Sequence, residues 1–167
     1  NAFDARAVAR VFEVKRRPFF DPLIVHVAAA EDLARVVREV PQTAERLIRR
    51  FWPGPLTLVL PKRYEVPDLV TAGLGTVAVR MPDHPLALAL LRAVAVPLAA
   101  PSANPFGAIS PTAAEHVRRQ LGDAVDLVLD GGPCRVGVES TILGWRGGMP
   151  VLLRAGGLPI EAIEREI

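Results

Sequence analysis

Lysine is almost missing from this chain: the 167 residues contain only Lys15 and Lys62, against eighteen arginines. Serine is nearly as scarce, at Ser102, Ser110 and Ser140, and asparagine occurs only at Asn1 and Asn104. Where Arg, Glu and Ala supply most of the surface, rare polar residues inside apolar stretches are the first candidates for binding or catalysis. Cysteine is single, so Cys134 cannot close an internal disulfide. It has no CxxC or Cys/His ligand spacing around it, which excludes a disulfide framework and a zinc module and favours a reducing cytoplasm. No apolar run approaches the length of a bilayer crossing, so a soluble protein without membrane contact is expected. Aromatics make up 5% of the residues, too few for the interleaved exposed rings on which nucleic-acid bases stack. A net charge of +2 decides little, because a solvated Arg-rich face accounts for it.

What is present alternates between helical and extended patterns, the signature of an α/β fold. Asp4 is placed to cap a helix whose Ala7, Val8, Val11 and Phe12 share one face, and Pro18 stops it. Leu23 to Val27 predicts a buried strand. Helices are expected over Asp32 to Val40 and Thr43 to Phe51, with Pro41 between them. Strands follow at Leu56 to Leu60 and Thr76 to Met81, then a helix at Pro85 to Ala93 and a strand at Val96 to Ala100. The remaining pattern predicts a helix from Thr112 to Leu121, strands at Leu127 to Asp130, Ser140 to Leu143 and Val151 to Arg154, and a last helix from Pro159 or Ile160. Length and apolar content fit one domain.

In α/β folds ligands gather where strands end, since backbone donors are exposed there and the loops tolerate polar groups. Four such places carry unusual polar content: Lys15-Arg16-Arg17-Pro18, Arg80, Ser102-Ala103-Asn104 and Glu139-Ser140-Thr141. The cationic run suits a polyphosphate, and equally suits the negative end of a helix. The Ser-Ala-Asn segment admits close ligand approach or an ordinary turn. Gly131, Gly132 and Gly137 before Glu139 fit neither the Walker pattern nor GxGxxG. His26 interrupts a strand, while His84 and His116 lie in a turn and on a helix; no pair has metal-ligand spacing and there is no HExxH, so no protein-held metal is expected. GxSxG is absent, and Cys134 beside Arg135 has no base, so covalent catalysis lacks a nucleophile. Cations, hydroxyls and an amide remain, a set suited to aligning phosphates whose Mg²⁺ arrives with the nucleotide.

In order, KRRP, DPLIVHV, FWPGPLTLVL, TVAVRMPDHP, APSAN, ISPT, GVESTI and VLLRAGG resemble the YrdC-like family, which includes threonylcarbamoyl-AMP synthases. The resemblance covers nearly the whole chain. It implies a twisted mixed sheet flanked by helices, with an open basic cavity for ATP and threonine. The family's Lys-x-Arg and Ser-x-Asn signature falls on Lys15, Arg17, Ser102 and Asn104, implied to be catalytic. Nucleotide contacts are implied for Lys15, Arg17, Asp21, Thr76, Ser102, Ser110 and Arg154, and threonine contacts for His26, Arg80, Ala100 and Ser140. L-threonine, bicarbonate and ATP are the implied substrates, with Mg²⁺ carried by ATP. The product would pass to the tRNA threonylcarbamoyl transferase machinery, and RNA contact is a further expectation.

Three departures accompany the match. The family's N-terminal Pro-Thr-x-Thr-x-Tyr-Gly-Leu segment is expected before Asn1, so residues 1–167 are expected to form the catalytic domain without its first strand and that wall of the threonine pocket. Arg16 makes the basic run denser than the signature, and Asp21 replaces a more usual amide. Two other readings stay open: a YrdC-like domain of a carbamoyltransferase, and a non-catalytic RNA-binding module.

Overall fold

Asp4 accepts hydrogen bonds from the amides of Arg6 and Ala7 and so starts α1, Ala5–Lys15. The helix ends at Arg16, whose backbone turns left-handed at φ 51°, releasing Arg17 from the helical path. A computed structural model describes all 167 residues. After α1 come β1 (Ile24–His26), a 3₁₀ turn at Ala30–Arg35, α2 (Gln42–Phe51), β2 (Leu56–Pro61), α3 (Asp68–Thr71), β3 (Thr76–Arg80) and α4 (Pro85–Val94). The chain continues through β4 (Leu98–Ala99), α5 (Ala114–Leu121), a second 3₁₀ turn at Gly122–Ala124, β5 (Thr141–Arg146), β6 (Met149–Arg154) and α6 (Ile160–Glu164).

One six-stranded mixed sheet organises these elements, in the order β4-β1-β3-β2-β5-β6. β1 runs parallel to β3, and β2 parallel to β5; the other neighbours are antiparallel. Alternation along the strands divides the sheet's faces. Val25, Leu58, Leu60, Val77, Val79 and Leu143 are buried with Val8 and Phe12 of α1, Ala44, Leu47 and Ile48 of α2, and Ile163 of α6. The intervening positions, Ile24, Val59, Thr76, Ala78, Arg80 and Ile142, face the other way. Register places Ile24 beside Ala78, Ala78 beside Val59, and His26 beside Arg80, making a contiguous floor on the face opposite the core.

Several expected elements change for identifiable reasons. Residues 36–38 cannot continue a helix because the tail of β2 claims their backbone: Arg38 N–H donates to Pro61 O, Arg63 N–H donates to Val36 O, and Val37 bridges Lys62. The 3₁₀ turn is what remains of the expected helix over residues 32–40. No strand forms at residues 127–130, where Leu127 is 75% exposed and Leu129 49%, because both sheet edges lie elsewhere, at β4 and β6. The last two strands are longer than expected and form a hairpin, since Gly147 and Gly148 supply the two positive φ angles of a tight turn. The four-residue α3 is too short to leave a periodic signal.

Candidate functional site

A cavity of about 440 Å³ lies on the exposed sheet face. Its floor comes from β1, β2, β3 and β5, and its polar rim from loops that converge on the strand ends. Of the twelve residues singled out in the sequence, Arg17, Asp21, Thr76, Arg80, Ser102, Ser140 and Arg154 line it. Lys15, His26, Ala100, Asn104 and Ser110 do not, although each is bonded to, or beside, a segment that does.

Three guanidinium groups define the character of the cavity. Arg17 donates through Nε to Asp21 O at 3.0 Å and pairs with Asp21 Oδ1 at 2.9 Å. Burial lowers its pKa from the ordinary arginine value, and Asp21 opposes the shift. Arg80 donates from Nε to Gly54 O at 2.9 Å, which leaves its terminal nitrogens without a protein acceptor. Its pKa is also lowered, by burial first and then by Arg154, against the pull of Asp83. Arg154 donates twice to Ser140 O and once, at 3.1 Å, to Ser140 Oγ. Ser140 Oγ also meets Thr57 Oγ1 at 2.7 Å, so Thr57 and Ser140, both buried, fix Arg154 from below.

The loops are held by close backbone packing. A Cβ on Gly156 would lie 2.4 Å from Glu139 O, and Gly157 N–H donates to Glu139 O. These glycines let the segment after β6 press against Glu139 and Ser140. On the turn between α2 and β2, Gly54 O meets Arg80 while Pro55 O accepts from Thr141 N–H. The end of β3 and the entry to β5 therefore converge.

Lys15 has a different task from Arg17. It is 4% exposed, and its Nζ donates to the carbonyls of Ser102 and Asn104. Burial, and next the charge on Arg17, push its pKa down to about 8. Asn104 is also buried; its Nδ2 donates to Pro105 O and, at 2.7 Å, to Ala108 O, while Oδ1 has no partner. Lys15 and Asn104 thus build the loop that presents Ser102 to the cavity. His26 sits at the end of β1 with Nδ1 3.4 Å from Ile24 O; burial first, then Arg80, depress its pKa to about 4. It is neutral near pH 7. Ala100 N–H donates to Ile24 O, extending the β1 pairing to the mouth of the Ser-Ala-Asn loop.

Glu139 belongs to the cavity wall, but the sequence reading assigned it no contact. Ser110 Oγ donates to its Oε1 at 2.6 Å. That bond, its own backbone amide and Arg154 hold its carboxyl below the usual range. The signal for Glu139 was its place beside Ser140 in a polar strand entry, which adjacency alone could not separate from a solvated surface acid. The molecule contains no group of three or more His, Cys, Asp or Glu able to hold a metal ion.

Fold and cavity together define an α/β domain with a guanidinium-lined cavity over the open face of a mixed sheet. The chain belongs to the Sua5/YciO/YrdC family, whose model, described as "Telomere recombination", matches residues 1–156. It is 53% identical over its whole length to a threonylcarbamoyl-AMP synthase of Pyrococcus abyssi, covering 49% of that protein. To the threonylcarbamoyl-AMP synthase of Bacillus subtilis it is 51% identical, again over the whole chain and 49% of the relative. The crystal structure of P. abyssi Sua5 complexed with L-threonine superposes with a TM-score of 0.98 at 53% identity, over 100% of this chain and 49% of that one. The chain spans about half the length of these relatives.

Proposed function

We propose that this domain catalyses formation of threonylcarbamoyl-AMP and pyrophosphate from L-threonine, bicarbonate and ATP, with release of water. The observation that carries the reading is the convergence of Arg17, Arg80, Arg154, Thr76, Ser102 and Ser140, from five separate segments, on one cavity in a chain that is 53% identical to a threonine-binding structure.

In this scheme the amine of threonine takes up bicarbonate to give an N-carboxy group. An oxygen of that group attacks the α-phosphorus of ATP, the bond to the β-phosphate oxygen breaks, and pyrophosphate leaves with the electron pair. No protein nucleophile is required. The terminal nitrogens of Arg80 would receive the threonine carboxylate, with Ser140 lining the amino-acid side and neutral His26 and Ala100 adjoining it. Arg17, Arg154, Thr76, Asp21, Ser102 and Ser110 would face the nucleotide, the guanidiniums offsetting charge on the phosphates. Lys15 and Asn104 serve both substrates by fixing the Ser102 loop. Mg²⁺, bound with ATP, would offset further phosphate charge during transfer. The product would then pass to the machinery that modifies tRNA. No helix of the chain is long and apolar enough to cross a membrane.

Pyrophosphate release tests the reading. It should require ATP, threonine and bicarbonate together and fall to background when any one is omitted. Release that ignores threonine would refute it, and release that depends on carbamoyl phosphate instead would favour the carbamoyltransferase reading.

A further inference from the structure

Two carboxylates stand on the wall of a cavity otherwise furnished with guanidiniums: Asp21 and Glu139. Asp21 is committed, ion-paired to Arg17 at 2.9 Å. Glu139 is not, since it takes part in none of the molecule's ion pairs. Its side chain accepts from Ser110 Oγ through Oε1, with its own backbone amide and Arg154 as the other favourable neighbours. A carboxylate beside a triphosphate would repel it. A divalent cation between the two reverses the sign of that interaction.

The donor set fits such an ion. Magnesium favours hard oxygen ligands, keeps several waters, and is commonly held by one or two carboxylates together with substrate phosphates. Glu139 supplies one carboxylate, and Ser110 a hydroxyl oxygen 2.6 Å from it. No cluster of three or more protein ligands exists that could hold the metal alone, so phosphate oxygens and water would have to complete its coordination. The two residues come from opposite loops, residues 100–113 and 131–140, so a shared ion would also tie those loops together over the cavity.

We infer that Glu139, oriented by Ser110, is the protein's ligand for the divalent cation that accompanies the nucleotide triphosphate, an assignment that rests on the adenylate-forming reading above. The Ser110–Glu139 hydrogen bond preforms the pair, and the carboxylate turns a metal-free triphosphate into a disfavoured ligand while welcoming the metal complex.

Calorimetric titration of a non-hydrolysable ATP analogue into the intact protein, with and without Mg²⁺, tests the assignment. Mg²⁺ should strengthen binding to the wild type, and Glu139→Gln should reduce that gain by about tenfold. The same variant should bind the metal-free analogue more tightly than the wild type does, because the repulsion is gone. With Mn²⁺ replacing Mg²⁺, the electron paramagnetic resonance spectrum of the bound analogue complex should differ between wild type and Glu139→Gln. Ser110→Ala should show a smaller loss of the same sign; an unchanged metal effect there would overturn the orienting role. Equal weakening with and without metal would overturn the assignment. So would weakened threonine binding with an intact metal effect, which would place the carboxylate against the amino acid's ammonium. Failure of the wild type to bind the analogue at all would instead overturn the adenylate-forming reading, and this inference with it.

Discussion

Residues 1–99 and residues 100–139 are built on different principles. The first stretch supplies almost all of the buried apolar cluster, with Leu143 and Ile163 completing it from later in the chain. In the second, Asn104 alone is buried, and α5 buries no side chain. This arm is tethered by polar contacts instead: Lys15 to the carbonyls of Ser102 and Asn104, Arg135 to Asp83 at 2.6 Å, and His84 Nε2–H to Gly131 O at 3.1 Å. Ser102, Ser110 and Glu139 all belong to it. A rigid sheet thus carries Arg80, Thr76 and the cavity floor, while an arm with little apolar anchoring brings the opposite wall. Segments of low local stability are the ones able to adjust around a ligand.

The sharpest way to break this contrast is to remove a side chain from each region. Leu58 in β2 is fully buried, and Leu58→Ala should lower stability by about 4 kcal/mol in chemical denaturation, through lost transfer energy and a residual cavity. Leu129→Ala in the arm should change it by less than about 0.5 kcal/mol, because Leu129 is half exposed. Comparable losses at both sites would mean that the arm is part of the core.

The same contrast governed how much could be read from the sequence. Where side chains meet a core, periodicity reports it: Asp4 as a cap, the stripe Val8 and Phe12, and the alternation through β2 and β3 all appear in the fold. The arm left no such record. Leu127 to Asp130 has the composition of a strand, yet it finds no edge to pair with. Polar scarcity marked Lys15, Asn104 and the three serines, but could not divide residues that face the cavity from those that build its walls. That division depends on long-range contacts, such as Lys15 reaching across to the Ser102 loop, which spacing does not encode. Glu139 was obscured for the opposite reason, being one of ten glutamates in the chain.

A second, somewhat smaller effect belongs to the sheet side and is driven by pH. The folded protein holds His26 near pKa 4, whereas the unfolded value is near 6.5, so on acidification the unfolded chain binds the proton first. Stability attributable to this histidine is therefore fully present above pH 6.5, falls between 6.5 and 4, and is lost below 4. The shift corresponds to about 3 kcal/mol. Denaturation midpoints taken across that range should fall less steeply in His26→Asn, which keeps a donor toward Ile24 O but cannot titrate; identical slopes would remove His26 as the cause.

A smaller change in stability than at Leu58 or His26 accompanies a large change in the arm. Lys15→Met keeps the buried unbranched stem but removes the donor shared by Ser102 and Asn104. Deleting a buried charge relieves desolvation, while two carbonyls lose a partner, so the net cost should be about 1 kcal/mol. The loop should respond more strongly than the fold. Phe106 N–H, which donates to Lys15 O, should exchange with solvent much faster, amides of β2 and β3 should keep their protection, and pyrophosphate release should drop sharply as Ser102 loses its place. Accelerated exchange in β2 and β3 would show that Lys15 supports the core as well as the arm, and the division between the two regions would fail at its main tether.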